Sequence, residues 1–204
     1  MQYNTLTKRG IMPRIDSEKF YTSAIEMHGT SAKGVNWTSK QTQEIRFDMI
    51  LQLLPDDLSD ISIVDAGCGF GDFYLYLEKK KKVPKKYIGI DSLVDMYSIA
   101  SEKTGCEIII ADICKDKLPS ASYYVCSGAM NVLNTFETHL FIANCYNSSK
   151  FGFIFNILHG DKTSETYNYL TRAKIQEIAK ELHVKEVKFL DGYLEDDITV
   201  GFFR

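Results

Sequence analysis

The stretch Asp65-Ala-Gly67-Cys68-Gly69-Phe-Gly71-Asp72 sets two carboxylates and three glycines within eight residues, directly after the apolar run that begins at Ile61. The chemistry this pattern offers is the cradling of a ligand rather than covalent catalysis. Glycines lack a Cβ, so a turn can tighten and its N–H groups can approach a bound group closely. The helix that follows turns its partial positive end toward polar or anionic atoms. Glycine-rich turns also arise for packing alone, so the context must decide. Two further apolar runs end in acids: Tyr87-Ile-Gly-Ile-Asp91, followed by Ser92, and Ile108-Ile-Ile-Ala-Asp112, followed by Ile113. A carboxylate at the carboxyl edge of a sheet can accept both hydroxyls of a ribose. One strand further along, a carboxylate can accept from an adenine amino group while an aliphatic neighbour packs on the ring. A dinucleotide fingerprint G-x-G-x-x-G would place its third glycine at position 72, where Asp72 stands, so a nicotinamide cofactor is the weaker reading.

These residues need strands to carry them to one edge. From Ile61 onward, short apolar runs alternate with amphipathic stretches, the rhythm of βα units and a largely parallel sheet. Strands are expected at 62–66, 87–91, 107–111, 123–127, 152–158, 184–190 and 198–203. Helices are expected at 70–82, 93–104, 135–148 and 171–182, with breaks at Pro84, Gly105 and Pro119. Only about seven residues separate the last two strands, too few for a crossover helix, so they should pair antiparallel. The expected fold is therefore α/β: a Rossmann-like, seven-stranded, mostly parallel sheet with a C-terminal antiparallel hairpin and helices on both faces. A helix at 41–54 should pack near the mouth of the first strand. Residues before about 20 look poorly constrained.

At 204 residues, 45% hydrophobic and 25% charged, the chain suits one domain: an N-terminal helical cap covering the ligand at 1–55 and a Rossmann-like core at 60–204. No apolar run approaches the ~20 residues of a membrane span, and no secretory leader is visible, so a cytoplasmic location is expected. A net charge of -3 does not favour nucleic acid. The basic run Lys79 to Lys82 with Lys85 and Lys86 reads as a solvated helix end. The five cysteines are scattered without a CxxC pair, and no metal site is expected. Oligomeric state, monomer or homodimer, is left open.

With these motifs in place, the chain resembles the class I S-adenosylmethionine-dependent methyltransferases over roughly 61–158 and the terminal hairpin. The resemblance implies S-adenosylmethionine as cofactor and S-adenosylhomocysteine as product. Asp65, Gly67, Cys68, Gly69 and Gly71 would hold the methionine part, Asp91 with Ser92 the ribose, and Asp112 with Ile113 the adenine. The fourth strand ends Cys126-Ser127-Gly128-Ala-Met-Asn131, similar to the family's segment beneath the sulfonium that faces the substrate. Ser-Gly is equally read as turn chemistry. The segments from Gly34 to Phe47 and from Gly192 to Val200 also resemble parts of a subgroup of uncharacterised bacterial methyltransferases. Within them, Trp37 offers a flat wall and Arg46 a fork for the cofactor carboxylate. A core anchor and a surface ion-pair partner are the alternatives for these two.

Methyl transfer asks mainly for alignment and exclusion of water. His159, just after the fifth strand, is the candidate base if the acceptor must lose a proton, with Asn131 facing the substrate; Tyr193 and His28 are further candidates. His159 also reads as a structural histidine. No Asn-Pro-Pro-Tyr or Asp-Pro-Pro-Tyr follows the fourth strand and no basic extension is present, so a small-molecule acceptor is expected. A catalytically silent cofactor-binding module is the alternative. The loop at 160–169 reads either as a lid or as an ordinary connection.

Overall fold

The computed structural model describes residues 39–204 continuously, with Lys19, Thr22, Ser23, Glu26, Met27 and Gly29 ahead of them. The expectations for Trp37, for His28 and for most of the 1–55 cap lie outside the described residues. Helix α1 (Lys40–Leu53) opens on a reciprocal cap. The Ser39 side chain accepts from the Thr42 N–H, and the Thr42 hydroxyl accepts from the Ser39 N–H. There follow β1 (Ser62–Ala66), α2 (Asp72–Lys79), β2 (Lys86–Asp91), α3 (Val94–Thr104), β3 (Glu107–Ile110) and β4 (Ala121–Ser127). A 3-10 turn (Ala129–Val132), α4 (Thr135–Ser148), β5 (Ser149–Leu158), α5 (Arg172–Glu181), β6 (Glu186–Asp191) and β7 (Asp197–Phe203) complete the chain.

One sheet holds all seven strands in the order β3-β2-β1-β4-β5-β7-β6. The first five of these run parallel, and β7 is antiparallel to both β5 and β6. The chain walks outward from β1 to β3, then returns to lay β4 on the other side of β1. At such a reversal the connections leave the carboxyl ends of β1 and β4 in opposite directions, and a crevice opens between them.

The two-residue period of the strands sorts side chains onto two faces. Val64, Tyr124, Phe153, Phe155, Val200 and Phe202 point to the face covered by α4 and α5. Each such side chain, fully buried, contributes roughly 1.5–3 kcal/mol. Ile63, Val125 and Ile154 point to the opposite face, under Phe47 and Ile50 of α1 and Phe73 and Leu77 of α2.

Two differences from the sequence-based expectation have physical causes. Helix α2 starts at Asp72 rather than 70, because Gly71 is held at φ 77°, outside helical backbone. It ends at Lys79 rather than 82, and Lys81 carries φ 57°. Helix α1 lies against β4, β5, β7 and α2, and its Gln43 donates to Asp72 just beyond the carboxyl end of β1. Phe47 makes edge contacts with Phe73, and Arg46 reaches Asp197 of β7. The lysine run is matched by acids: Lys79 with Glu44, Lys80 with Asp48, Lys82 with Asp56, Lys85 with Asp60 and Lys86 with Glu107. Among the described residues no helix is long and apolar enough to cross a membrane.

Candidate functional site

The glycine turn after β1 is stitched to β2: the N–H groups of Gly67 and Cys68 donate to the Ile90 carbonyl at 2.8 and 3.0 Å. Gly67 sits at φ 77°, and a Cβ there would stand 2.3 Å from the Ala129 Cβ, so the loop after β4 comes up against a bare backbone. Gly69, at φ 54°, donates its N–H to Asp91 Oδ2 at 3.0 Å. Asp91 Oδ1 accepts from the Leu93 N–H at 3.1 Å. Each Asp91 oxygen therefore keeps acceptor capacity for a further donor such as a ribose hydroxyl. Burial raises this carboxyl above its ordinary range, against the lowering pull of those N–H groups.

Asp65 is 3% exposed and accepts one strong bond, from the Tyr87 hydroxyl at 2.6 Å. Burial pushes it up to about 7, with the Tyr87 bond opposing and the charges of Asp91 and Asp72 adding to the rise. Asp112, at the end of β3, accepts from the Cys114 N–H at 2.9 Å and pairs with Lys115 at 2.6 Å. Ile113 beside it is buried, its carbonyl fixed by the Asn144 side chain at 2.9 Å. At the end of β4 the Ser127 hydroxyl donates to Asn156 at 2.8 Å, and Gly128 makes the following bend at φ 83°.

These elements converge on one cavity of about 170 Å³, larger than a second one of about 90 Å³ between α1 and α2. Asp65, Gly67, Cys68, Gly69, Asp91, Ser92, Asp112, Ile113, Ser127, Gly128 and Asn131 all line it. Gly71 does not; it serves as the N-cap of α2, where a Cβ would meet Thr104 Cγ2 at 2.4 Å. Asn131 accepts from the Leu158 N–H through its side chain at 3.2 Å, which also ties the 3-10 turn to β5.

Three candidates stand away from that lining. Arg46 is turned onto Asp197, which is 3% exposed and, once desolvated, a stronger partner for a guanidinium than a solvated group. Tyr193 donates to the same carboxylate at 2.9 Å. His159 lies with Nδ1 at 2.9 Å from the Leu170 carbonyl, an atom that can only accept, so this nitrogen carries the proton.

The wall also includes residues that sequence reasoning passed over: Gln43 and Phe47 of α1, Asp72, Phe73, Leu133 and Tyr167. Gln43 donates to Asp72 Oδ2 at 3.0 Å and closes the crevice from the α1 side. Asp72 was visible within the glycine motif; Gln43 lay in the marked segment 34–47 but only the packing of α1 brings it to the crevice. The loop that carries Tyr167 is clipped down by Asn168, whose N–H reaches the Asn131 carbonyl at 2.8 Å and whose side chain reaches Thr138 at 2.8 Å. Among the described residues that line the crevice the charged side chains are all acids: Asp65, Asp72, Asp91 and Asp112.

No family model and no curated protein sequence matches the chain. Solved structures do. Magnesium protoporphyrin IX methyltransferase from Synechocystis PCC 6803, with bound SAH, superposes at a TM-score of 0.65 with 14% identity, covering 80% of this chain and 83% of that one. An S-adenosylmethionine-dependent methyltransferase from Mesorhizobium loti gives 0.60 with 17% identity, covering 78% and 98%. Human N-acetylserotonin methyltransferase, in complex with SAM, gives 0.63 with 13% identity, covering 80% of this chain and 53% of the human one. At such identities the likeness speaks for architecture, and with the strand order and terminal hairpin described above it is decisive: the chain has the Rossmann-like fold of the class I S-adenosylmethionine-dependent methyltransferases.

Proposed function

We propose that this protein is an S-adenosylmethionine-dependent methyltransferase acting on a small-molecule acceptor by direct, SN2-type transfer. One observation carries the reading: the glycine turn after β1 and the acids ending β2 and β3 line the same cavity as Ser127 and Gly128 of the β4 end. The residues fit the nucleoside. Asp91 has acceptor capacity for a diol, and Asp112 with Ile113 offers a carboxylate beside an apolar wall. The bare backbone at Gly67 lets the loop after β4 close on the turn, and the Gly69 N–H fixes Asp91 in place, so the glycines shape the crevice while their own N–H groups are taken within the protein. Asp65, which faces no cation among the described residues, suits the ammonium of the methionine portion, with Cys68 and Ser92 filling the wall between. Solved structures of the same fold hold SAM or SAH, which supports the choice of cofactor.

When bound, the cofactor would supply a methyl group on a good leaving group; the chain's part is to align the acceptor and exclude water. Asn131, Leu133 and Tyr167 form the wall beyond Ser127 and are the candidates for contact with the acceptor. His159 and Tyr193 lie outside the lining, which favours an acceptor that arrives with its lone pair free over one that needs a base from these residues. The protein would work as a cytoplasmic enzyme, with 1–55 as the covering segment of a single domain. Calorimetric titration with S-adenosylhomocysteine, NADH and ATP tests the reading. Saturable binding of S-adenosylhomocysteine alone is expected; preference for NADH would sink it. Radiolabelled methyl uptake by metabolite extracts then separates an enzyme from a silent module.

A further inference from the structure

A buried polar chain runs behind the crevice wall, across the sheet from β4 to β7, and every link in it has a direction. Ser127 Oγ lies 2.8 Å from Asn156 Oδ1; Asn156 Nδ2 lies 2.6 Å from Thr199 Oγ1 and 3.5 Å from the Arg46 carbonyl. That carbonyl can only accept, so the amide nitrogen must face it and the amide oxygen must face Ser127. Ser127 is therefore the donor of its bond. Thr199 accepts from Asn156; Tyr193 commits its single proton to Asp197 at 2.9 Å, so Thr199, 2.8 Å away, is the donor of the bond between the two hydroxyls. Burial and the Asp197 charge hold the Tyr193 phenol above its ordinary range, so it stays a donor. Arg46 closes the far end on Asp197. Asn156, Thr199 and Asp197 are each 3% exposed or less.

Four hydrogen bonds thus point one way, from the crevice wall to a buried carboxylate. Aligned bonds in a low dielectric polarise one another. With its proton committed inward, Ser127 has only lone pairs for the crevice, and their negative charge is enhanced. The chain is not a proton wire, because a carboxamide passes protons only through an unfavourable imidic acid form. Its effect is electrostatic. The strand order β3-β2-β1-β4 says where that effect falls. With adenine at the β3 end and ribose at the β2 end, the part of the nucleoside beyond its ribose lies at the ends of β1 and β4, beside Ser127.

We propose that Ser127 is a fixed acceptor oxygen for the sulfonium charge, and that Asn156, Thr199 and Tyr193 are positioning residues which set its polarity. The inference rests on the cofactor reading above, and it makes the site favour the charged cofactor over its neutral product. The ammonium and carboxylate are common to S-adenosylmethionine and S-adenosylhomocysteine, so the ratio of their affinities isolates the sulfonium.

The test is calorimetric titration of both nucleosides into four variants, with thermal unfolding alongside. Ser127→Ala should cut the preference for S-adenosylmethionine by about tenfold, and Thr199→Val or Tyr193→Phe by about threefold. Thr199→Ser, which keeps the hydroxyl, should restore it. A merely structural role would weaken both nucleosides together and leave the ratio alone; a ratio unchanged in folded Ser127→Ala and Tyr193→Phe overturns the proposal. If Thr199→Val fails to fold, Tyr193→Phe decides, since it severs the last two links without removing the ring. Wild-type protein that binds neither nucleoside overturns the cofactor reading itself, and this inference with it.

Discussion

Two buried aspartates on the same sheet face divide the molecule into a poised half and a fixed half. Asp65, at the end of β1, and Asp197, at the start of β7, are both 3% exposed. Asp197 is gripped by Arg46 and Tyr193. Burial still raises its carboxyl, but the guanidinium opposes that rise. Asp65 has a phenol for a partner and two other acids nearby, and burial takes it up to about 7. The same side chain at the same depth is thus a structural post in one half and an uncompensated acceptor in the other. The half in which no described cation meets the carboxylate is the half that opens into the crevice, which is what the proposed binding of a cationic ligand there requires.

The comparison can be broken most severely at its fixed end. Arg46→Ala leaves the Asp197 charge buried with the Tyr193 phenol and the Ile198 N–H but no cation, and should cost about 3 to 5 kcal/mol in urea unfolding. Arg46→Met combined with Asp197→Leu should recover most of that loss, because no charge is then stranded. The poised end is read through pH. Asp65 holds its proton in the fold up to about 7 but releases it near 4 when unfolded, so between those values the native state binds more protons. The contribution of Asp65 to stability should therefore be full below about pH 4, fall through the window from 4 to 7 by at most about 4 kcal/mol, and be flat above 7. Asp65→Asn should remove that part of the slope; Asp197, opposed by Arg46, should contribute a smaller one.

Between the two halves, Asp91→Ala should weaken S-adenosylhomocysteine affinity by about 1.5 to 3 kcal/mol in calorimetry, as charge-assisted bonds are lost. Because Asp91 also ties Gly69 to Leu93, Asp91→Asn is the control that keeps part of that tie. The smallest effect belongs to the cap of α1. Ser39→Ala should cost about 1 kcal/mol of unfolding free energy, since the tertiary anchor of α1 through Arg46 remains.

The strands were legible because each is an apolar run bounded by a glycine, a proline or an acid, and a two-residue period leaves little freedom once one face must be buried. The antiparallel hairpin was legible from the shortness of its connection. The crevice acids were legible because their places at strand ends follow from the strands themselves. Helix limits were less so: Gly71 and Lys81, both at positive φ, shorten α2 at either end through backbone geometry that composition does not carry. Arg46 and Tyr193 were marked as candidates, but their partner, 151 positions from Arg46, is set by how α1 lies across β5 and β7. Gln43, Phe47 and Tyr167 lay in segments that were marked, 34–47 and 160–169, but were not singled out, since each enters the crevice wall from an element packed against it rather than from the glycine motif.

By itself the amino-acid sequence determined the α/β sheet, the order in which acids meet its carboxyl edge and the glycine turn that begins the crevice. All of these depend on local period and on residue types a few positions apart. Only the tertiary structure decided which buried carboxylate received a cation, which way each hydroxyl donates and which helix roofs the site. Those choices arise between groups far apart in the chain, where desolvation rewards a partner that local sequence cannot specify.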